Sequence, residues 1–265
     1  MMTSDKVHGW AIIFMLLLLS GLTQQALAEN KSNLQVAISL DIPPYVMDNA
    51  SRGLEVEIVR QALEGYDLNF TQIPYAELQT AVQQERVDVA IGVQQDNDDV
   101  HYSVDFITFA NYAISKKAEG LQIARVGDLR NHQVLTWGNA YLELGNEFEA
   151  MFSPGAPQRR NYIEIADQEE QVKEFWQGSG RIIVIDQSIF NFFSRKLGHD
   201  LSEVRFHNIF PPLTNFKAGF KSAAILNQFN EGLIAMCKSG YYAKLLLQYD
   251  VAAKQTLCES TGQGQ

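Results

Sequence analysis

This 265-residue sequence predicts an α/β fold made of two strand–helix units. Short apolar runs rich in Val and Ile alternate with longer stretches whose apolar residues recur every three or four positions. The spacing lets each helix cross from one parallel strand to the next. The pattern runs through residue 91 and starts again at residue 133, with no flexible linker of obvious composition between the two units.

The first unit opens at 34–40, LQVAISL, which alternates and then turns at Asp41-Ile42-Pro43-Pro44. Residues 53–65 carry Leu54, Ile58, Val59, Ala62 and Leu63 at helical spacing, a helix closed by Gly65. A strand at 68–73, a helix at 75–84 and a strand at 87–91 follow. In the second unit, 133–138 is strand-like and opens into a helical stretch, 140–152. A strand at 162–165, a helix at 168–177, a buried strand at 181–185 ending on Asp186 and a helix at 187–196 come next. Residues 206–220 look extended, with Pro211-Pro212 as a break, and two amphipathic helices, 222–236 and 241–249, close the pattern.

Composition narrows the function. The net charge is −10, and the basic residues form only pairs such as Lys116-Lys117, Arg159-Arg160 and Arg195-Lys196. Nucleic acid and anionic membrane are therefore excluded as partners, because phosphate binding needs clustered cations. Residues 11–22, AIIFMLLLLSGL, form an apolar run too short to span a bilayer. With Ala26-Leu27-Ala28 behind it, the run reads as a secretory leader, 1–28, cleaved after Ala28; an uncleaved anchor is the alternative. Cys237 and Cys258, the only cysteines, suggest one disulfide in an exported chain, with two free thiols as the alternative. The scattered His101, His132, His199 and His207 show no metal spacing, and no nucleophile elbow or phosphate loop occurs. No catalytic residue, metal or cofactor is expected.

In open α/β sheets ligands bind beyond the carboxyl ends of strands. Those ends here are Asp41 to Tyr45, Gly92-Val93-Gln94, Trp137-Gly138-Asn139-Ala140 and Asp186. After Gly92 the loop is crowded with Asp96, Asp98 and Asp99, which read as solvated acids. Tyr45 and Trp137 can wall a cleft or pack in a core. Asp186 ends a strand of β-branched residues, where it can hold a ligand or cap the next helix. Glu143 and Glu147, one turn apart, face no obvious partner.

Six segments in order, LQVAISLDIPPYV, RGLEVEIVRQALEG, ELQTAVQQERVDVAIG, VDFITFANYAISKK, RIIVIDQSIFNFF and NFKAGFKSAAILNQFNEGLIAMCKSGYYAKLLLQY, together resemble the periplasmic amino-acid-type solute-binding proteins of family 3. The resemblance implies a type II periplasmic-binding clamshell, each lobe a β-sheet flanked by helices, with two hinge crossings. Lobe 1 is expected over 32–112 plus 216–258, lobe 2 over 113–212 and a flexible tail over 259–265. It also implies a monomer in the periplasm that holds a small polar solute and docks on an inner-membrane permease or sensor.

That family's loop after the third strand carries an Arg that grips the ligand's α-carboxylate. Here Asp99 or Val100 occupies its place, depending on register, and Gly138-Asn139-Ala140 has lost the family's hydroxyl turn. Asp186 matches the family's acid for the ligand amino group, and Tyr45 its stacking aromatic. The expected ligand site is Asp41, Tyr45, Gly92, Val93, Gln94, Trp137, Gly138, Asn139, Ala140 and Asp186, and the expected ligand is cationic or neutral. A sensing or partner-docking module is the alternative, and a cyclohexadienyl dehydratase-like enzyme a lesser one.

Overall fold

Eleven strands among the described residues fall into two sheets. The first holds β1 (Ser32–Ile38), β2 (Tyr66–Gln72), β3 (Val89–Val93), β4 (His101–Tyr102), β5 (Ile107–Phe109) and β11 (Thr214–Phe220); the second holds β6 (Asn111–Lys116), β7 (Gln133–Thr136), β8 (Tyr162–Glu164), β9 (Arg181–Asp186) and β10 (Val204–His207). The orders are β2-β1-β3-β11-β4, with β5 also on β11, and β10-β6-β9-β7-β8. In this computed structural model residues 31–211, 214–251 and 257–260 are described. The described residues from 33 onward form one compact unit. The expected leader, 1–28, lies outside the described residues.

Parallel pairing of β1 with β3, and of β7 with both β8 and β9, follows from the crossover helices. Ile182 to Ile185 of β9 are fully buried, as a central strand covered on both faces must be. The chain leaves the first sheet after Phe109, enters the second at Asn111, and returns between His207 and Thr214. These two crossings place Phe109, Asn111 and Phe216 between the sheets. Asn111 is in register with Asp186, so the start of one crossing meets the end of β9.

The helices are α1 (Leu54–Ala62), α2 (Tyr75–Ala81), α3 (Asn146–Phe152), α4 (Gln168–Gln177), α5 (Gln187–Lys196), α6 (Ala223–Ser239), α7 (Tyr241–Gln248) and α8 (Leu257–Ser260). Two stretches differ from the sequence reading. Residues 140–152 are a 3₁₀ turn, Ala140–Leu142, and then α3, separated at Gly145, whose φ of 91° leaves the helical region. Residues 206–220 hold the end of β10 and all of β11, which belong to different sheets, on either side of the expected break at 211–212. β3 also runs to Val93, so Gly92 lies inside the strand, at φ 78°, instead of ending it.

Cys237 and Cys258 form a disulfide that ties α8 to α6, with 5.4 Å between their Cα atoms. That turn includes residues 259 and 260 of the expected tail, and 261–265 lie outside the described residues. Among the described residues no helix is long and apolar enough to cross a membrane, and no group of His, Cys, Asp and Glu could hold a metal ion.

Candidate functional site

Between the sheets lies a cavity of about 130 Å³. Its construction begins at Gly53. With φ at 128° and an added Cβ only 2.3 Å from the Tyr45 carbonyl oxygen, only glycine fits there. This contact brings the start of α1 against the turn after β1, where the Leu54 and Glu55 amides donate to the Pro44 and Tyr45 carbonyls, each at 3.0 Å. Glu55 then occupies one phase of the apolar stripe Ile58, Val59, Ala62, and its carboxyl faces the cavity. A side chain at Gly92 would meet the Glu55 carboxyl at 3.6 Å, so Gly92 keeps the space in front of that acid open.

From the other sheet, Asp186 ends β9 and caps α5. Its Oδ1 accepts from the Ser188 and Ile189 amides at 2.8 and 3.1 Å and from the Tyr45 hydroxyl at 3.2 Å. Its Oδ2 accepts from the Ala110 amide at 2.8 Å. Burial pushes its carboxyl up to about 6, against the pull of these four donors. Glu55 makes no hydrogen bond to any described residue, and burial alone pushes it up to about 8. Burial and the Asp186 charge hold the Tyr45 hydroxyl well above its ordinary range, so it remains a neutral donor.

The rest of the lining is largely aromatic. Phe109 meets Phe216 edge-on at 5.2 Å, and Phe216 meets Tyr75 at 6.1 Å. Trp137 closes the opposite side, beside Gly138. Ser39 and Gln168 also line this cavity, and their Oγ and Oε1 atoms are buried without a partner among the described residues. Among the described residues no Lys, Arg or His lines it.

A wider cavity of about 670 Å³ shares Tyr75 and Ala76 with the first. Here the sheets are bridged directly: the Tyr75 hydroxyl donates to Glu143 at 2.5 Å. Burial raises Glu143 above the usual carboxylate range, although hydrogen bonds from Tyr75 and Gln94 oppose it. Glu143 therefore has a partner that its sequence context did not reveal. Gln94 exchanges two hydrogen bonds with Gln79, at 3.0 and 2.6 Å, and donates to the Asn215 carbonyl at 2.9 Å.

Of the expected site residues, Gly92, Trp137, Gly138 and Asp186 line the smaller cavity. Gln94 and Asn139 line the wider one. Tyr45 is at neither wall: it is wholly buried, packed at 4.4 Å on Phe109. Asp41 is exposed, and it ties its own loop by accepting from the Asn49 amide at 3.2 Å and from Gln72 at 2.7 Å. Val93 and Ala140 are core residues. Asp98 accepts from the Val100 amide and the Tyr102 hydroxyl, each at 3.0 Å, and neither it nor Asp99 lines either cavity. Sequence reading missed Glu55, Tyr75, Phe109 and Phe216. Only Glu55 carried a signal, as an acid in phase with an apolar stripe.

The sequence model of a family described as bacterial extracellular solute-binding proteins, family 3, matches residues 34–251. Among curated proteins no sequence matches. A substrate-binding protein of an ABC uptake transporter from Streptococcus pneumoniae, with bound histidine, superposes with a TM-score of 0.68 at 14% identity, over 85% of this chain and 96% of that one. An arginine-, lysine-, histidine-binding protein from Geobacillus stearothermophilus gives 0.67 at 15% identity, over 87% and 100%. A histidine kinase sensor domain with similarity to periplasmic binding proteins gives 0.68 at 18%, over 83% and 96%. At these identities the likeness is one of fold, the type II periplasmic binding fold.

Proposed function

The chain belongs to the bacterial extracellular solute-binding proteins, family 3, and on that premise we propose that it captures a small polar solute between two lobes for an ABC importer. The lobes of this reading are 32–112 with 216–258, and 113–212, moving about the two crossings. It acts after export to the periplasm and carries out no reaction of its own.

The observation that supports this best is the cavity between the sheets, with an aromatic wall, two buried acids and no lining cation among the described residues. A zwitterionic amino acid would bring a carboxylate that nothing there neutralises, and leaving such a charge unpaired costs several kcal/mol, on the order of 3 to 5. A dehydratase acting on a dicarboxylate meets the same obstacle. The solute of this proposal is therefore cationic or neutral.

A second reading, a ligand-sensing module that docks on a membrane partner, draws support from the fold shared with a histidine kinase sensor domain. The ligand site is the same in both.

Calorimetric titration of the folded chain with amines, amino acids and sugars is the test. Saturable binding of an amine or an uncharged polar compound is expected. Tight binding of an ordinary amino acid such as glutamine would contradict the ligand class. Silence across the panel, with no rise in melting temperature, would contradict solute binding itself, since a ligand of the folded state must raise apparent stability.

A further inference from the structure

Glu55 is 2% exposed, has no hydrogen-bonding partner among the described residues, and faces the cavity across the open space at Gly92. A buried carboxyl is costly without partners, and proteins ordinarily provide them. Asp186 shows the ordinary arrangement in the same cavity, with four donors. Helix geometry does not require an acid at position 55, because α1 already carries Glu57 in its first turn.

The other unpartnered atoms point to the chemistry of the missing partner. Gln168 Oε1 can only accept a hydrogen bond, and Ser39 Oγ can accept one. Together with the Glu55 carboxyl they want a donor with several N–H groups. Tyr75, Phe109, Phe216 and Trp137 offer faces suited to a weakly hydrated cation and to an apolar body.

We infer that Glu55 is the ligand-gripping acid of this cavity, and that the solute is a small organic ammonium with an apolar body and no carboxylate. The inference rests on the solute-binding reading and names its ligand class. In the empty cavity burial keeps Glu55 protonated at neutral pH. An arriving ammonium keeps its own protons and favours the carboxylate, so the Glu55 proton leaves to solvent. One cation is taken up for one proton released, and the cavity's net charge does not change. The titratable groups facing Glu55 are Tyr45 and Tyr75, both neutral because burial raises them, and Asp186, ionised above about 6.

The test titrates the full chain with benzylammonium, benzyl alcohol, benzoate and phenylalanine, and with ammoniums graded in size from methyl to cyclohexyl. The expected result is binding of an ammonium, no binding of benzoate or phenylalanine, and an affinity that rises roughly twentyfold between pH 6.5 and 8.5 as Glu55 becomes easier to ionise. Glu55→Gln keeps the shape of the protonated acid, so it should fold normally, lose at least tenfold in ammonium affinity and lose the pH dependence. Equal binding of benzyl alcohol, unchanged affinity in Glu55→Gln, or no binding of any ammonium overturns the inference. If a sugar or amino acid then binds with an affinity that Glu55→Gln leaves unchanged, the inference has failed and the solute-binding reading has not. If nothing binds, both have failed.

Discussion

Asp186 and Glu55 are each 2% exposed, line one cavity and sit at the start of a helix, yet the protein treats them differently. Asp186 accepts from four donors and joins β9, α5, the first crossing and Tyr45. Glu55 accepts from none among the described residues. Donors pull the first carboxyl back to about 6, and their absence leaves the second at about 8. Equal burial therefore does not imply an equal role: the first acid holds the structure together, and the second is available to a ligand.

The largest effect that can test this contrast is on stability against pH. Glu55 has its folded-state value raised from 4.5 to about 8, so between those values the folded chain binds the extra proton. Stability is lost as pH rises through that window, by about 5 kcal/mol in all for this group. Glu55→Gln removes that loss. Urea unfolding should find the variant level with the wild type near pH 4 and several kcal/mol more stable near pH 9. Parallel pH profiles would show that Glu55 is already partnered.

Next in size is Asp186→Ala. It strands three amides and the Tyr45 hydroxyl, at about 1 kcal/mol each, for a total of about 4 kcal/mol. A loss under 1 kcal/mol would mean that Asp186 is as free as Glu55. Replacing both Cys237 and Cys258 by Ser opens a loop with a sequence separation of 21 and should cost about 3 kcal/mol. Ligand affinity should not follow, since neither Cys lines the cavity; a matching loss of affinity would show that binding merely tracks stability. Smallest is Tyr75→Phe, which removes the bridge to Glu143. It should cost about 1.5 kcal/mol and widen the angle between the lobes in X-ray scattering of the free chain. An unchanged scattering profile would show that the bridge does not hold them.

Much of the fold was legible because its central elements are strongly patterned. α4 matches the expected helix 168–177, and α5 the expected helix 187–196, because Asp167 and Asp186 cap them and Gly178 and Gly198 end or follow them. β4 and β5 have two and three residues, too few to show a period. The break at Gly145 depends on tertiary packing that local pattern does not carry, whereas Pro211-Pro212 marked the division of 206–220. Trp137, Gly138 and Asp186, expected from strand ends, line the smaller cavity, as does Gly92, which lies one residue inside its strand. Phe109 and Phe216 were not expected, since an aromatic in a buried strand looks the same whether it meets core or cavity. Tyr45, in the turn after β1, is packed on Phe109 by tertiary contacts that its own sequence neighbours do not show. Glu55 is legible in the sequence: an acid on the stripe of Ile58, Val59 and Ala62 conflicts with the local pattern, and such conflicts gather at functional positions.

The decisive event is displacement of the Glu55 proton by a cation. The most direct measurement is the heat of benzylammonium binding at pH 7.0 in phosphate and in Tris, whose heats of ionisation differ widely. Release of close to one proton per ligand bound is expected for the wild type, and none for any residual binding to Glu55→Gln. Binding to the wild type with equal heats in the two buffers would contradict it.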